Sequence, residues 1–274
     1  MTGALRYEWM RIRTIRSTWW LTGITATLAI GISFLIALGL SIAFQSQSPP
    51  PESEMGILAQ VVVSHASVYG ELGGAPFLLP YVLGMLGVFT WGHEYRHGMI
   101  RATLTALSSR TQPWVAKYLV TAAWVAATVL VSLTVSAGIG WLWLRDDGVS
   151  FATYALLGTI FKCVTYTVMF TWVAMAVTSL VRNQTGAIVI MLVWPLVIEN
   201  VVQVVFAIVP PLREAGDLLR FLPFEAGKSM LSGLDVTGDF FGDPLTPWAG
   251  FLVFGIYAVV LMAASYLLFL KRDA

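Results

Sequence analysis

Residues 18–44 read TWWLTGITATLAIGISFLIALGLSIAF and carry no charged side chain. At about 1.5 Å per residue, a helix of this length exceeds the roughly 30 Å hydrocarbon core of a bilayer. The stretch is therefore long enough to cross a membrane with some tilt. We predict a first membrane-spanning helix over residues 18–44.

Five further apolar stretches follow, and we predict spans over residues 77–91, 114–144, 151–181, 187–209 and 248–270. Of the whole chain, 57% is hydrophobic and only 11% is charged, whereas an average soluble domain carries roughly a quarter charged residues. The composition therefore predicts an all-α membrane protein with six spans in a single domain. It gives no support for a role in nucleic-acid binding.

The basic residues indicate how the spans are oriented. One predicted face collects eleven of the sixteen Lys and Arg residues: Arg6, Arg11, Arg13, Arg16, Arg96, Arg101, Arg110, Lys117, Arg182, Lys271 and Arg272. The opposite face collects four: Arg145, Arg213, Arg220 and Lys228. Because cytoplasmic loops carry an excess of positive charge, we expect both termini in the cytoplasm of a multi-pass plasma-membrane protein.

Two segments on the predicted cytoplasmic side combine basic and apolar residues. Residues 1–17 fit an amphipathic helix whose arginines would be drawn to anionic lipid. Residues 92–113 are polar, basic and predicted to be largely helical, with Met99, Ile100 and Leu104 interleaved among the arginines. Charge together with an apolar face is typical of a surface that docks a soluble partner.

Two segments on the predicted outer side interrupt the pattern of spans. The apolar piece at residues 57–69 is too short to cross, so we expect it on the outer surface or leading obliquely into the second span. Residues 210–247 contain Pro210, Pro211, Pro223 and Pro244, which predicts short helices that dip toward the outer leaflet.

The string His93-Glu94-Tyr95-Arg96-His97 fits the pattern H-E-x-x-H. On a helix this spacing can place two imidazoles on one zinc ion, with the glutamate as general base. A zinc-dependent intramembrane protease is thus an alternative function. A catalytic zinc needs a third ligand, however, and His65, the one remaining histidine, is predicted on the other side of the membrane.

Two charged residues lie inside predicted spans at matching depth, Lys162 in the fourth and Glu199 in the fifth. A charge in a bilayer costs roughly 3 kcal/mol on insertion scales. We therefore expect the two side chains to pair with each other or to line a polar path for a substrate.

Small residues recur at helical spacing in the first and third spans. The two stripes are Ala29, Ser33, Ala37 and Ser41, and Thr128, Ser132, Ser136 and Gly140. Such stripes allow helices to approach closely, either inside one bundle or at a contact between subunits.

Several of these features together resemble the permease subunits of type-2 ATP-binding-cassette (ABC) exporters. The resemblance rests on the amphipathic amino terminus, the six spans and the stretch from Glu94 to Lys117, which includes Gly98, Ser109-Arg110 and Ala116-Lys117. It covers essentially the whole chain.

The resemblance implies a permease that works with two cytoplasmic ABC ATPase subunits and a second permease, identical or closely related. It implies no catalytic residue here, and it leaves ATP and Mg on the partner ATPase, so this chain would bind no cofactor. Coupling to the ATPase would fall on a short helix after the second span, at His93, Glu94, Tyr95, Arg96, His97, Met99, Ile100, Arg101 and Leu104.

We therefore expect an exporter of an amphipathic substrate such as a drug, an antibiotic peptide or a lipid-like compound. Besides the zinc protease, a second alternative is a membrane protein for immunity or assembly that carries out no transport. It would show no ATP-dependent flux beside an ATPase.

Overall fold

The computed structural model describes residues 2–46, 52–67, 78–100, 110–231 and 245–271, and within them the chain is helical. The longer helices are α1 (Thr2–Thr14), α2 (Arg16–Ser46), α3 (Glu52–Ser67), α4 (Leu78–Arg96), α5 (Thr111–Leu144), α6 (Tyr154–Val181), α7 (Gln184–Val193), α8 (Glu199–Ile208) and α11 (Pro247–Lys271). The shorter helices are α9 (Pro210–Arg213) and α10 (Pro223–Ser229), with a 3-10 turn over Gly216–Phe221 between them.

In the described part of the chain, five helical segments are long and apolar enough to cross a membrane. They are Arg16–Gln45, Thr111–Leu144, Tyr154–Val181, Gln184–Ile208 and Pro247–Lys271. The segment predicted as the second span forms α4, which is not among the five because polar residues occupy its last turn. Five of the six predicted spans thus have a matching apolar helix.

Local capping sets the helix ends, and some lie several residues from the predicted bounds. The span predicted from residue 151 begins at Tyr154, because the Thr153 hydroxyl accepts a hydrogen bond from the N–H of Leu156 at 3.2 Å. The span predicted from residue 187 begins at Gln184, because the Asn183 side chain accepts from the N–H of Gly186 at 3.0 Å. In both cases the cap, rather than the first apolar residue, decides where the helix begins.

One face of helix α3 is packed into the bundle, while Ile57 is exposed. Ala59, Val62 and Val63 are fully buried, and the Ser33 hydroxyl of α2 donates to the Val62 carbonyl at 3.1 Å. Ala37 of α2 and Ala59 and Val62 of α3 belong to one hydrophobic cluster. The segment therefore packs along α2, which corrects the expectation of a piece on the outer surface; the alternative of an oblique lead into the second span depends on residues 68–77, which lie outside the described residues.

Most residues of the small-residue stripes in the first and third spans are buried within this one chain, whereas Ser41 and Thr128 are partly buried. Ala29, Ser33 and Ala37 of α2 are fully buried, as are Ser132 and Ser136 of α5 at 1% exposure or less. The stripes therefore serve packing inside the bundle, which was one of the two alternatives left by the sequence.

The helices α4 and α6 approach each other closely at two glycines of α4. A Cβ added at Gly87 would lie 2.8 Å from the Thr171 carbonyl oxygen, and one added at Gly84 would lie 2.8 Å from the Phe170 ring. Because the first neighbour is backbone, it cannot move aside by a change of rotamer. Gly87 therefore fixes the spacing between the two helices.

Replacing Gly87 with leucine should lower the stability of the protein by about 1–3 kcal/mol, because the side chain would wedge α4 away from α6. The measurement is the melting temperature of the purified protein in detergent, followed by tryptophan fluorescence. Gly31→Leu is the matched control, since a Cβ at Gly31 meets nothing within 4 Å. Equal melting temperatures for the two variants would contradict the assignment of Gly87.

Candidate functional site

The end of α4 is built as a defined stop followed by a turn. Gly98 has a φ of +64°, a left-handed conformation that glycine adopts without strain. The N–H of Met99 donates to the Glu94 carbonyl at 3.0 Å, and the N–H of Gly98 approaches the Tyr95 carbonyl at 3.4 Å. This pair of bonds is the Schellman motif, so the chain leaves α4 in a fixed direction.

A buried lysine lies next to this helix end. Lys117 of α5 is 1% exposed, and its ammonium donates to Glu8 Oε1 at 2.6 Å and to Glu94 Oε1. Glu8 is 1% and Glu94 3% exposed. One cation on α5 is therefore shared by carboxylates from α1 and α4, away from water.

Arg11 completes a charge cluster that consists of Glu8, Arg11, Glu94 and Lys117, and Trp91 lies beside it. Arg11 donates from Nε to Glu8 Oε2 at 2.8 Å and from a terminal nitrogen to the Thr90 carbonyl at 2.9 Å. The Lys117 ammonium also lies 5.2 Å from the centroid of the Trp91 ring, within range of a cation–π interaction. Two cations and two carboxylates give the cluster a net charge of zero.

The amino-terminal helix is thus joined to the bundle by ionic as well as apolar contacts. Its buried face consists of Ala4, Glu8 and Ile12, each one helical turn from the next. The opposite face of the helix includes Trp9 and Met10, which are exposed. The sequence analysis does not predict a role for Glu8. Its position four residues after Ala4 and four before Ile12 places it on the apolar face of the helix, which could have indicated that it is buried.

The residues proposed for ATPase coupling fall into three groups. Arg96, His97 and Met99 are exposed; His93, Tyr95 and Ile100 are partly buried, the last two against a cluster around Trp91 and Tyr118; Glu94 is buried. Arg101 and Leu104 lie outside the described residues. The surface available to a partner at this helix end is therefore formed by the first group, while the Glu94 carboxylate faces inward to Lys117.

The geometry offers little to a zinc ion. The rings of His93 and His97 are 6.4 Å apart, and His93 is stacked on Phe89. The glutamate that a protease would use as general base is bound to Lys117. Among the described residues, no group of three or more His, Cys, Asp or Glu side chains could hold a metal ion; the side chain of His65 is not among them.

Glu199 is held by a different partner from the one that the sequence suggested. Its two carboxylate oxygens accept hydrogen bonds from the N–H groups of Phe224 and Glu225, each at 3.0 Å, and its side chain is buried. Lys162 is half-buried. The ion pairs of the described residues do not include one between Lys162 and Glu199.

The bond from Glu199 caps a short helix that is inserted into the bundle. Phe224 and Glu225 are in the first turn of α10, whose N–H groups have no partner within the helix. Phe224 packs on Phe170 of α6 with ring centroids 5.5 Å apart, and Gly227 lies against Tyr166. The Glu199 carboxylate of α8 therefore caps the amino-terminal end of α10.

A π-helical turn over Trp194–Ile198 places Glu199 at this position. Pro195 lacks an N–H, so the regular hydrogen-bond ladder is interrupted there. The Asn200 side chain donates to the carbonyls of Pro195 and Leu196 at 3.3 and 3.0 Å. The predicted fifth span thus consists of α7 and α8, joined by the π-helical turn, and the Asn200 side chain binds carbonyl groups of that turn.

Comparison with known families assigns the chain to a class of membrane transport protein. A family model described as ABC-2 family transporter protein matches residues 4–198. The match begins in α1, includes the charge cluster and ends at the π-helical turn. A comparison with curated proteins gave no match.

The chain therefore belongs to the ABC-2 transporter family. It is a permease subunit and a multi-pass membrane protein, as the five apolar helices and the family together indicate. Membership also implies ABC ATPase subunits as partners, and it suggests a membrane subunit that is not itself catalytic.

Lys117→Met should destabilise the protein by about 3–5 kcal/mol, because it leaves the Glu8 and Glu94 carboxylates buried without their cation. The double variant Lys117→Met, Glu94→Gln restores neutrality and should be more stable than the single variant. Thermal unfolding in detergent measures both, with Arg145→Gln as a control at an exposed pair, Arg145–Asp146. A single variant as stable as the control would contradict the structural role of the cluster.

Glu199→Leu should release the first turn of α10, because two N–H groups lose their acceptor. We expect the amides of Phe224 and Glu225 to exchange with deuterium faster by about tenfold or more. Glu199→Gln, which retains one acceptor oxygen, should give a smaller increase. The exposed Glu214→Gln is the control, and unchanged exchange in Glu199→Leu would refute the capping role.

Proposed function

We propose that this permease belongs to an ATP-driven exporter and that separate ABC ATPase subunits act on the end of α4. The charge cluster is the observation that supports this proposal most directly. It joins α4 to α1 and α5 at the point where α4 stops. A displacement of the following segment is therefore passed to three helices at once.

The surface beyond the cluster has the chemistry of a docking site. Arg96, His97 and Met99 are exposed at the Schellman turn, and the sequence continues with Arg101 and Leu104. Exposed basic and apolar side chains next to a rigid helix end can bind a soluble partner and transmit its motion. In this proposal Glu94 acts from inside, by holding the helix end to Lys117.

The proposed orientation places this end in the cytoplasm. Eleven of the basic residues fall on the predicted face that also carries the charge cluster, against four on the other. Both termini would then be cytoplasmic, and the plasma membrane is the proposed location. A second permease copy, or a close paralogue, would complete the transport path.

The proposed cargo is an amphipathic compound such as a drug, an antibiotic peptide or a lipid-like molecule, moved outward. The walls of the spans are largely apolar, which suits a molecule that enters from the bilayer. The inserted helix α10, capped by Glu199, would lie near the outer end of the path. Its position suits a gate that opens when the helices separate.

Met99→Asp should reduce the stimulation of the partner ATPase by the permease about tenfold, since it places a charge in the apolar part of the docking surface. The measurement uses the permease reconstituted with its partner ATPase in proteoliposomes, and ATP hydrolysis and substrate efflux are followed together. Arg145→Glu is the control at the opposite end of α5.

Loss of hydrolysis and efflux in Met99→Asp, with wild-type melting temperature, would support the docking assignment. Wild-type coupling in this variant would overturn it. The absence of any ATP-dependent flux from the unaltered complex would instead favour the alternative of a protein for immunity or assembly.

A further inference from the structure

A groove on the outside of α2 has the shape and chemistry of a site for one phospholipid. It is open to the outside along the face of α2 and has a volume of about 660 Å³; its lining in the described part of the chain consists of Arg16, Trp19, Trp20, Gly23, Ile24, Thr27 and Leu28. Gly23 and Thr27 form its floor, since they are the small residues on this face. Arg16 lies at one end and Leu28 at the other.

We propose that this groove binds a phospholipid with an acidic headgroup, from the leaflet on the amino-terminal side. The headgroup would lie at Arg16 and an acyl chain along Gly23 and Thr27. The proposal concerns a site that the docking surface and the charge cluster do not include. It uses the proposed orientation only to name the leaflet as the cytoplasmic one.

The dimensions of the groove match one leaflet of a bilayer. From Arg16 to Leu28 is twelve residues, or about 18 Å along a helix axis. Half of a hydrocarbon core of roughly 30 Å is about 15 Å. The groove thus runs from headgroup depth to near the bilayer centre and stops there, although the exposed face of α2 continues to Leu35 and Ile42.

The mouth of the groove is built from side chains suited to the membrane interface. The Trp19 indole N–H donates to the Arg13 carbonyl at 2.8 Å, and its ring stands edge-on to Trp124 at 5.3 Å. Trp19 is therefore held as a fixed wall, while Trp20 is 70% exposed. Tryptophan and arginine together at this depth are typical of contacts with lipid headgroups.

A second copy of the chain whose own α2 faced this groove would fit it less well. Two copies related by an axis along the membrane normal would present the same face to each other. With α2 against α2, Arg16 would approach the Arg16 of the other copy, which is unfavourable. The charge at the mouth therefore favours an anionic headgroup over another α2.

The experiment measures which lipid stays with the protein. The chain is purified alone, without an ATPase, and released for native mass spectrometry from nanodiscs of equal parts phosphatidylglycerol and phosphatidylcholine. The spectrum reports the bound phospholipids and the oligomeric mass together. We expect the unaltered protein to retain phosphatidylglycerol over phosphatidylcholine by about fivefold, the effect of one arginine near the surface.

Two substitutions alter the site, and each has a matched control. Gly23→Phe places a ring in the groove at a position where a Cβ meets nothing within 4 Å. Gly39→Phe is the same change at the other end of α2, where a Cβ also meets nothing within 4 Å. Arg16→Gln removes the charge, and Arg145→Gln removes an arginine that lies beside Trp141 at the opposite end of the bundle.

The proposal requires that Gly23→Phe and Arg16→Gln lose the preference while both controls keep it, and that Arg16→Lys restores part of it. Equal retention of the two lipids by the unaltered protein would overturn the proposal. So would a Gly23→Phe variant that keeps its lipid but loses a dimer mass, since a second copy would then occupy the groove. Because no ATPase is present, failure of the exporter function would leave this result unaffected.

Discussion

The arrangement at the end of α4 depends on the fact that a buried ammonium cannot remain without compensating charge. Lys117 has no access to water, so carboxylates must reach it from elsewhere, and they come from α1 and α4. Arg11 then balances the second carboxylate and holds the Thr90 carbonyl. An amphipathic helix that could lie on a membrane surface by itself is in this way made part of the bundle.

Much of the fold could be predicted from the sequence because long apolar runs have few alternatives in a bilayer. The five apolar helices follow from composition and length. Prediction was weaker for α4, whose apolar part is shortened by the polar residues of its final turn, and for α3, whose packing along α2 depends on the shapes of both surfaces. Periodicity shows that Ala29 and Ser33 share a face, but it does not show which helix covers that face.

The candidate site was located by sequence only in part. The basic stretch after α4 is predicted as a docking surface from its charge and from its resemblance to a family of permeases. Glu8 is not predicted, since an acid among arginines is typical of a solvated surface. Matching depth suggested that Lys162 and Glu199 face each other, but depth fixes height and not direction around the helix axis. The carboxylate of Glu199 binds backbone N–H groups, which every residue except proline carries and which therefore leave no mark in a sequence.

The close contact at Gly87 has a mechanical consequence. If α4 shifted by one residue relative to α6, Leu86 or Val88 would take the place of Gly87, where only a hydrogen atom fits. The two helices therefore resist sliding or rotating relative to each other. If an ATPase acts on the end of α4, as proposed above, the two helices would move together. Movement of helices during transport would then occur at helix contacts other than the one between α4 and α6.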